Sequence, residues 1–202
     1  MSNNGGDQGL NGPLNKISYD IPYLLNNNAF SKTIIGLGTT MEGSWQNYII
    51  YDASYKMQFE NTTINLNKFI NKYAMQRYGL PHILSKHKYK DKDVEIILNN
   101  ITSAWMLLKN SIYDINYTTG IHKSLTNYAP TFYIPTQNIP IIYDTMDMQT
   151  IWKYFINVIK IVNKSSNLLN DIKTFRYDLI DITRQCLSHL FQIGLNIQCL
   201  TF

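Results

Sequence analysis

From about residue 65 onward the chain carries apolar residues at spacings of three and four, and this period constrains the fold more than any other feature. Leu66, Phe69, Ile70, Tyr73 and Ala74 predict a helix over about 65–78, and Gly79 followed by Pro81 predicts its end. Val94, Ile97, Leu98, Ile101, Trp105 and Leu108 form the stripe of a longer helix over about 91–112, with Asp91 or Asp93 placed to cap it. Another helix is expected to start near Asp147, with Ile151, Tyr154, Phe155, Val158, Ile159 and Val162 on one face. A last one is expected over about 170–193, using Phe175, Leu179, Ile182, Cys186 and Leu190 and ending at Gly194.

The first third of the chain reads differently. Gly5-Gly6, Gly9, Gly12-Pro13 and Asn26-Asn27-Asn28 are turn formers, so no regular element is expected over 1–32. Thr33 to Gly38 is an apolar run of strand length, and it leads into a loop holding Glu42 and Gly43. A buried strand closing in a glycine-containing loop with a carboxylate is how an α/β barrel presents catalytic groups. On pattern alone the alternative, a surface loop carboxylate, stays open. After Gly43 the spacing of Trp45, Tyr48, Ile49 and Asp52 to Met57 turns helical again. Residues 114–146, with Pro130, Pro135 and Pro140, read as a long irregular loop, a type that is often functional. The expected fold class is therefore α/β plus all-α, with an α/β part over 1–60 and a helical part over 61–202.

With 45% apolar and only 16% charged residues, the chain is neither disordered nor a coiled coil. The net charge is +4, and the lysines cluster only at Lys86, Lys88, Lys90 and Lys92. No aromatic platform or arginine fork accompanies them, so they read as a solvated loop and no nucleic-acid partner is expected. Cys186 and Cys199 lack metal-ligand spacing and read as small buried residues, a disulfide between them staying open for a secreted chain. No apolar run has the roughly 18 residues of a membrane span. Met1 to Pro13 lacks the apolar core of a signal peptide. Asn61, Asn100, Asn116 and Asn163 nevertheless begin N-glycosylation sequons. Sequons without an entry signal lead to the expectation of a longer parent protein.

Five segments, in order, resemble glycoside hydrolase family 89, the α-N-acetylglucosaminidases. Asn3 to Gly12 resembles the family's HNFGGN-x-GLxG, departing at Asn4 and Asp7. Gly36 to Gly43 with Gln46-Asn47 resembles VGTGxxPEGxxQN, with Met41 in place of proline. Tyr73 to Gly79 resembles FAxRRYG, and Ala104 to Leu108 with Ser111-Ile112-Tyr113 resembles AWRLLLxSVY. Phe175 to Gln185 resembles FRYDLLDLTRQ most closely.

The resemblance implies the end of a (β/α)8 barrel followed by part of a helical C-terminal domain. It implies a retaining hydrolase that removes terminal α-linked N-acetylglucosamine from heparan sulfate in the lysosome, without metal or cofactor. Retention uses a nucleophilic carboxylate and an acid/base carboxyl about 5–5.5 Å apart. Glu42 matches the nucleophile, and His122 falls near a substrate-pocket histidine of the family. The family's general acid sits on an Asn-Glu pair ahead of these motifs, and nothing before Gly5 matches it, so the chain alone is expected to be inactive. The expected partner is a glycosaminoglycan oligosaccharide, and homo-oligomerisation is left open. A non-catalytic helical remnant or binding module is the alternative. Trp45 and Trp105 are expected in the core, and Arg176, Asp178, Asp181 and Arg184 are expected to form an ion-pair network along the last helix. His82, His87 and His189 are assigned to the surface or to helix packing.

Overall fold

A computed structural model describes residues 10, 12–27, 29–39, 47–86, 89–113, 145–165 and 172–200. The described residues form helices α1 (Leu14–Asn26), α2 (Tyr48–Met57), α3 (Leu66–Arg77), α4 (Leu80–Lys86), α5 (Asp91–Ser111), α6 (Thr145–Ser165) and α7 (Lys173–Leu200). Helix α5 packs against α3 and α6, α6 against α7, and α1 against α2. One core runs through these contacts, from Leu14, Ile17 and Ile49 to Ile97, Ile101, Leu108, Phe155, Val158, Phe175 and Ile182. Trp105 is buried in it, as its place in the stripe of α5 requires. Trp45 and His87 lie outside the described residues.

The expected helices over 65–78 and 91–112 form, with two local differences. The N-cap of α5 is Lys90, whereas Asp91 and Asp93 lie in the first turn, where their charge meets the positive end of the helix dipole. Gly79 does end α3, but Pro81 continues into α4 at its second residue, where the missing N–H would have no intrahelical partner. Gly79 takes φ +60, the left-handed region that side-chain-bearing residues avoid.

Three expectations are corrected. Residues 14–26 are helical rather than turn-like: Leu14, Ile17, Ser18 and Ile21 bury one face at helical spacing even though Pro22 lies inside the helix. Proline withholds one backbone donor, but burial of that face holds the turn together. Second, the strand over Thr33 to Gly38 does not form; 29–33 is a turn and 34–39 carries no regular structure. No strand is present among the described residues to pair with it, and Ile35 is fully exposed. Third, α7 runs through Gly194 to Leu200. A lone glycine costs a helix only about 1 kcal/mol relative to alanine, too little to stop a helix of 28 residues. Cys186 and Cys199 therefore lie on one continuous helix, about 20 Å apart at its rise per residue, beyond disulfide reach. Cys186 is a free, buried thiol.

Replacing Gly79 by alanine should cost about 1–2 kcal/mol through the left-handed backbone alone. The added methyl meets only Ile83 at an ordinary 3.7 Å. Urea unfolding should show a lower midpoint with an unchanged slope.

Candidate functional site: a polar knot where the family-like segments meet

Asp178 is the carboxylate around which the described polar groups gather. It occupies a stripe position, three residues after Phe175 and four before Ile182, so the helical period turns it inward. Its partner is not on α7. Arg77, the last residue of α3, donates Nε–H and Nη2–H to its two oxygens, both at 2.5 Å. Tyr78 donates its hydroxyl to the same carboxylate at 2.7 Å, and Trp105 Nε1–H donates to the Tyr78 oxygen at 3.0 Å. The Arg77 guanidinium also lies over the rings of Tyr48 and Tyr73, 5.2 and 5.8 Å from their centroids. Residues of α2, α3, α5 and α7 are thereby tied at one point.

The electrostatics follow from burial. Asp178 is raised above the usual carboxylate range by burial, against the pull of Arg77 and Tyr78. Burial lowers the affinity of Arg77 for its proton, but the bonds to Asp178 outweigh it and the guanidinium stays charged. Burial also pushes the phenols of Tyr78 and Tyr113 well above their ordinary value, so both hydroxyls remain donors. The network expected along α7 is only partly present. Arg184 pairs with Asp181 at 2.6 Å, but Asp178 reaches across to α3, and Arg176 is exposed.

A second set of bonds holds the segments that flank Glu42. Tyr113 donates its hydroxyl to Asn47 Oδ1 at 3.2 Å, and its carbonyl accepts from the Leu14 amide at 2.9 Å. Gln185 Oε1 accepts from the Leu10 amide at 3.3 Å. A Cβ at Gly12 would lie 2.3 Å from Ile50 Cδ1, so a side chain there would require the Ile50 side chain to shift. The starts of α1 and α2 are thus pinned by the end of α5 and the middle of α7. Between these two sets lies a cavity of about 30 Å³ lined by Asn47, Tyr73, Arg77, Tyr113, Asp178 and Asp181. Ligand pockets hold roughly 300–1,000 Å³, so this space suits a water and not a sugar.

Glu42, His122 and Asn116 lie outside the described residues, and Asn163 lies in α6 with its side chain outside them. Asn61 is exposed between α2 and α3, and Asn100 is half-buried within α5. His82 is exposed, while His189 is buried on α7 beside Gln185. Among the described residues no group of His, Cys, Asp and Glu could hold a metal ion, and no helix is long and apolar enough to cross a membrane.

Residues 69–197 match the family described as the alpha-N-acetylglucosaminidase (NAGLU) C-terminal domain, well over half of the chain. The chain belongs to the alpha-N-acetylglucosaminidase family. Residues 1–61 match the tim-barrel domain of the same family. The human alpha-N-acetylglucosaminidase is 25% identical over 198 residues, covering 96% of this chain and 23% of the human protein. A family 89 glycoside hydrolase from Clostridium perfringens, solved with 2-acetamido-1,2-dideoxynojirmycin, superposes with TM-score 0.69 at 22% identity. The match covers 98% of this chain and 20% of that one. The structure of the C. perfringens protein with its substrate GlcNAc-alpha-1,4-galactose gives TM-score 0.66 at 23% identity, with the same coverage. The chain thus spans about a quarter or less of the length of these relatives, and these structural likenesses establish the shared fold.

The knot is assembled from residues of the family-like motifs. Arg77 and Tyr78 come from the third motif, Trp105 and Tyr113 from the fourth, Asp178 and Gln185 from the fifth, and Asn47 from the second. Sequence reasoning missed Arg77, Tyr78, Asn47, Tyr113 and Gln185 as parts of one site. The available signal was a charged residue inside an apolar stripe at Asp178, because a buried carboxylate requires a partner. Its partner, 101 residues away, has no local signature.

Two outcomes follow. Arg77→Ala should cost about 3–5 kcal/mol, because it strands a buried carboxylate. Arg184→Ala, which breaks a more exposed pair within one helix, should cost about 0–1 kcal/mol. Equal costs in urea titrations would contradict the assignment of Asp178 to Arg77. Burial lowers the pKa of His189 below 6.5. The unfolded chain then binds a proton that the folded chain refuses, so stability is complete above that value and falls as pH drops through the window below it. His189→Gln should flatten this acid-side loss in melting temperatures measured across that window.

Proposed function

We propose that this chain carries the nucleophile and its supporting scaffold for a retaining α-N-acetylglucosaminidase that acts on terminal α-linked N-acetylglucosamine of heparan sulfate in the lysosome. Residues 1–60 are read as the last part of the catalytic barrel and 61–202 as part of the helical domain. The family membership of the helical region is the observation that carries this reading. The motif resemblance around Glu42 and the likeness to a hydrolase solved with a GlcNAc-alpha-1,4-galactose substrate support it.

In this reading Glu42 attacks the anomeric carbon from below the sugar and forms a glycosyl-enzyme, which water then cleaves with net retention. His122 contacts the substrate. Asn47 follows Glu42 by five residues, so a chain tether of at most about 18 Å links the nucleophile to the bond from Tyr113. Holding a reacting group within small tolerances is where supporting hydrogen bonds contribute most to rate. The acid/base carboxyl matches no motif of this chain. Isolated residues 1–202 should therefore lack general acid catalysis, worth typically 10²–10⁴-fold, and hydrolyse negligibly.

Glu42→Ala, placed in a protein that also carries the acid/base residue, should abolish release of aryl alcohol from an aryl α-N-acetylglucosaminide. Azide should restore turnover and yield a glycosyl azide. Undiminished activity in the variant would remove Glu42 from the nucleophile role.

A further inference from the structure

Of the two sequon asparagines whose side chains are among the described residues, Asn61 and Asn100, the structure singles out Asn61. It sits on a bend between α2 and α3, and Asn61, Thr62 and Thr63 are all exposed. Asn100 is set differently, with Nδ2 donating to the Ile96 carbonyl at 2.7 Å and Oδ1 meeting Asn157 of α6 at 3.5 Å. Its amide nitrogen is engaged within a helix that packs against its neighbour.

The surroundings of Asn61 are built. Asn26 Nδ2 donates to the Asn61 carbonyl and to the Pro22 carbonyl, both at 2.8 Å, and so fastens the bend to the end of α1. Beside it, Tyr19 and Tyr23 stand one helical turn apart, their rings stacked at 5.9 Å with an interplanar angle of 14°. They are 58% and 52% exposed, so both rings are open to solvent. Together with Pro22, Asn26, Asn27 and the sequon they line an open groove of about 380 Å³. The lining holds rings and neutral amides and no charge. That chemistry fits the apolar face and acetamido group of a neutral N-acetylhexosamine, and it offers nothing to a sulfated chain.

We infer that Asn61 is an N-glycan attachment site whose first N-acetylglucosamine lies across the Tyr19–Tyr23 pair. Asn61 Nδ2 displaces the pyrophosphate of a lipid-linked oligosaccharide at C1 of its N-acetylglucosamine. The N–C1 bond forms, the C1–O bond to phosphate breaks, and the amide loses a proton as the lipid pyrophosphate leaves. The inference rests on the secretory routing contained in the proposed lysosomal function.

Peptide mass spectrometry of the protein isolated from its own cells, after amidase treatment in water enriched in the heavy oxygen isotope, reads each sequon separately. Asn61 should be converted to labelled aspartate and Asn100 should remain unmodified. Glycan at Asn116 or Asn163 with bare Asn61 would overturn this inference and leave the routing standing. Bare asparagine at every sequon would overturn both. In the glycosylated protein, replacing both Tyr19 and Tyr23 by alanine should speed release of the glycan by amidase under native conditions about fivefold, the ratio that roughly 1 kcal/mol of ring contact produces. An unchanged rate would remove the tyrosine platform.

Discussion

A single buried ion pair, Arg77 with Asp178, sets the arrangement of the helices around it. A carboxylate on an inward stripe position of α7 cannot be left alone in an apolar core, because the desolvation cost exceeds what any one packing contact returns. Arg77 answers it with two parallel bonds, and Tyr78 fills a further acceptor position. The geometry of a guanidinium fork against a carboxylate is directional, whereas apolar packing is not. The pair therefore specifies which turn of α3 faces which turn of α7. Gly79 belongs to the same device, since its left-handed backbone turns the chain immediately after Tyr78.

Around this pair the aromatic residues are arranged by both shape and polarity. Tyr78 meets Phe175 at 5.3 Å and Phe155 at 6.4 Å in edge-to-face contacts, while its hydroxyl faces the carboxylate. Trp105 meets Tyr73 in an edge-to-face contact at 5.0 Å and donates its N–H to Tyr78. Thr174 closes the far side by donating to the Arg77 carbonyl at 2.7 Å, satisfying an end group of α3 that has no helical partner. The same end of the molecule carries Tyr113, Asn47 and Gln185. Hydrogen bonds of Tyr113 and Gln185 thus reach Asn47, Leu14 and Leu10, on either side of the proposed nucleophile along the chain.

In the proposed reaction the helical domain supports the nucleophile without holding a reacting atom among its described residues. A nucleophile must be held in place by something that does not move when the substrate binds. The buried hydroxyl of Tyr113 and the amide of Asn47, 2% and 8% exposed, form a fixed point of this kind. The small cavity beside them is too small for sugar, which agrees with a supporting role. The exposed tyrosine pair on α1 takes no part in this junction and lines a separate open groove.

The helices α3, α5 and α6 were legible because their stripes repeat at the helical period over several turns, and periodicity is a local property of the chain. The motif resemblance was legible for the same reason, as runs of consecutive residues. Helix α1 was hidden by Pro22 and by the polar residues flanking it, since its stability comes from burial against α2 and the end of α5. The run from Thr33 to Gly38 shows the converse. Its residues favour a strand, yet a strand exists only where a neighbouring backbone pairs with it. In α7 the buried face holds Asp178, Gln185 and His189, leaving Leu190 at 43% exposure, and Asp178 and Gln185 on that face bond to Arg77 and to the Leu10 amide outside the helix. Sequence determined where the strongly periodic helices form and which family the chain belongs to. Only the tertiary structure decided that Arg77 answers Asp178 and that Tyr113 answers Asn47, because those bonds join residues distant along the chain and carry no periodicity that would announce them.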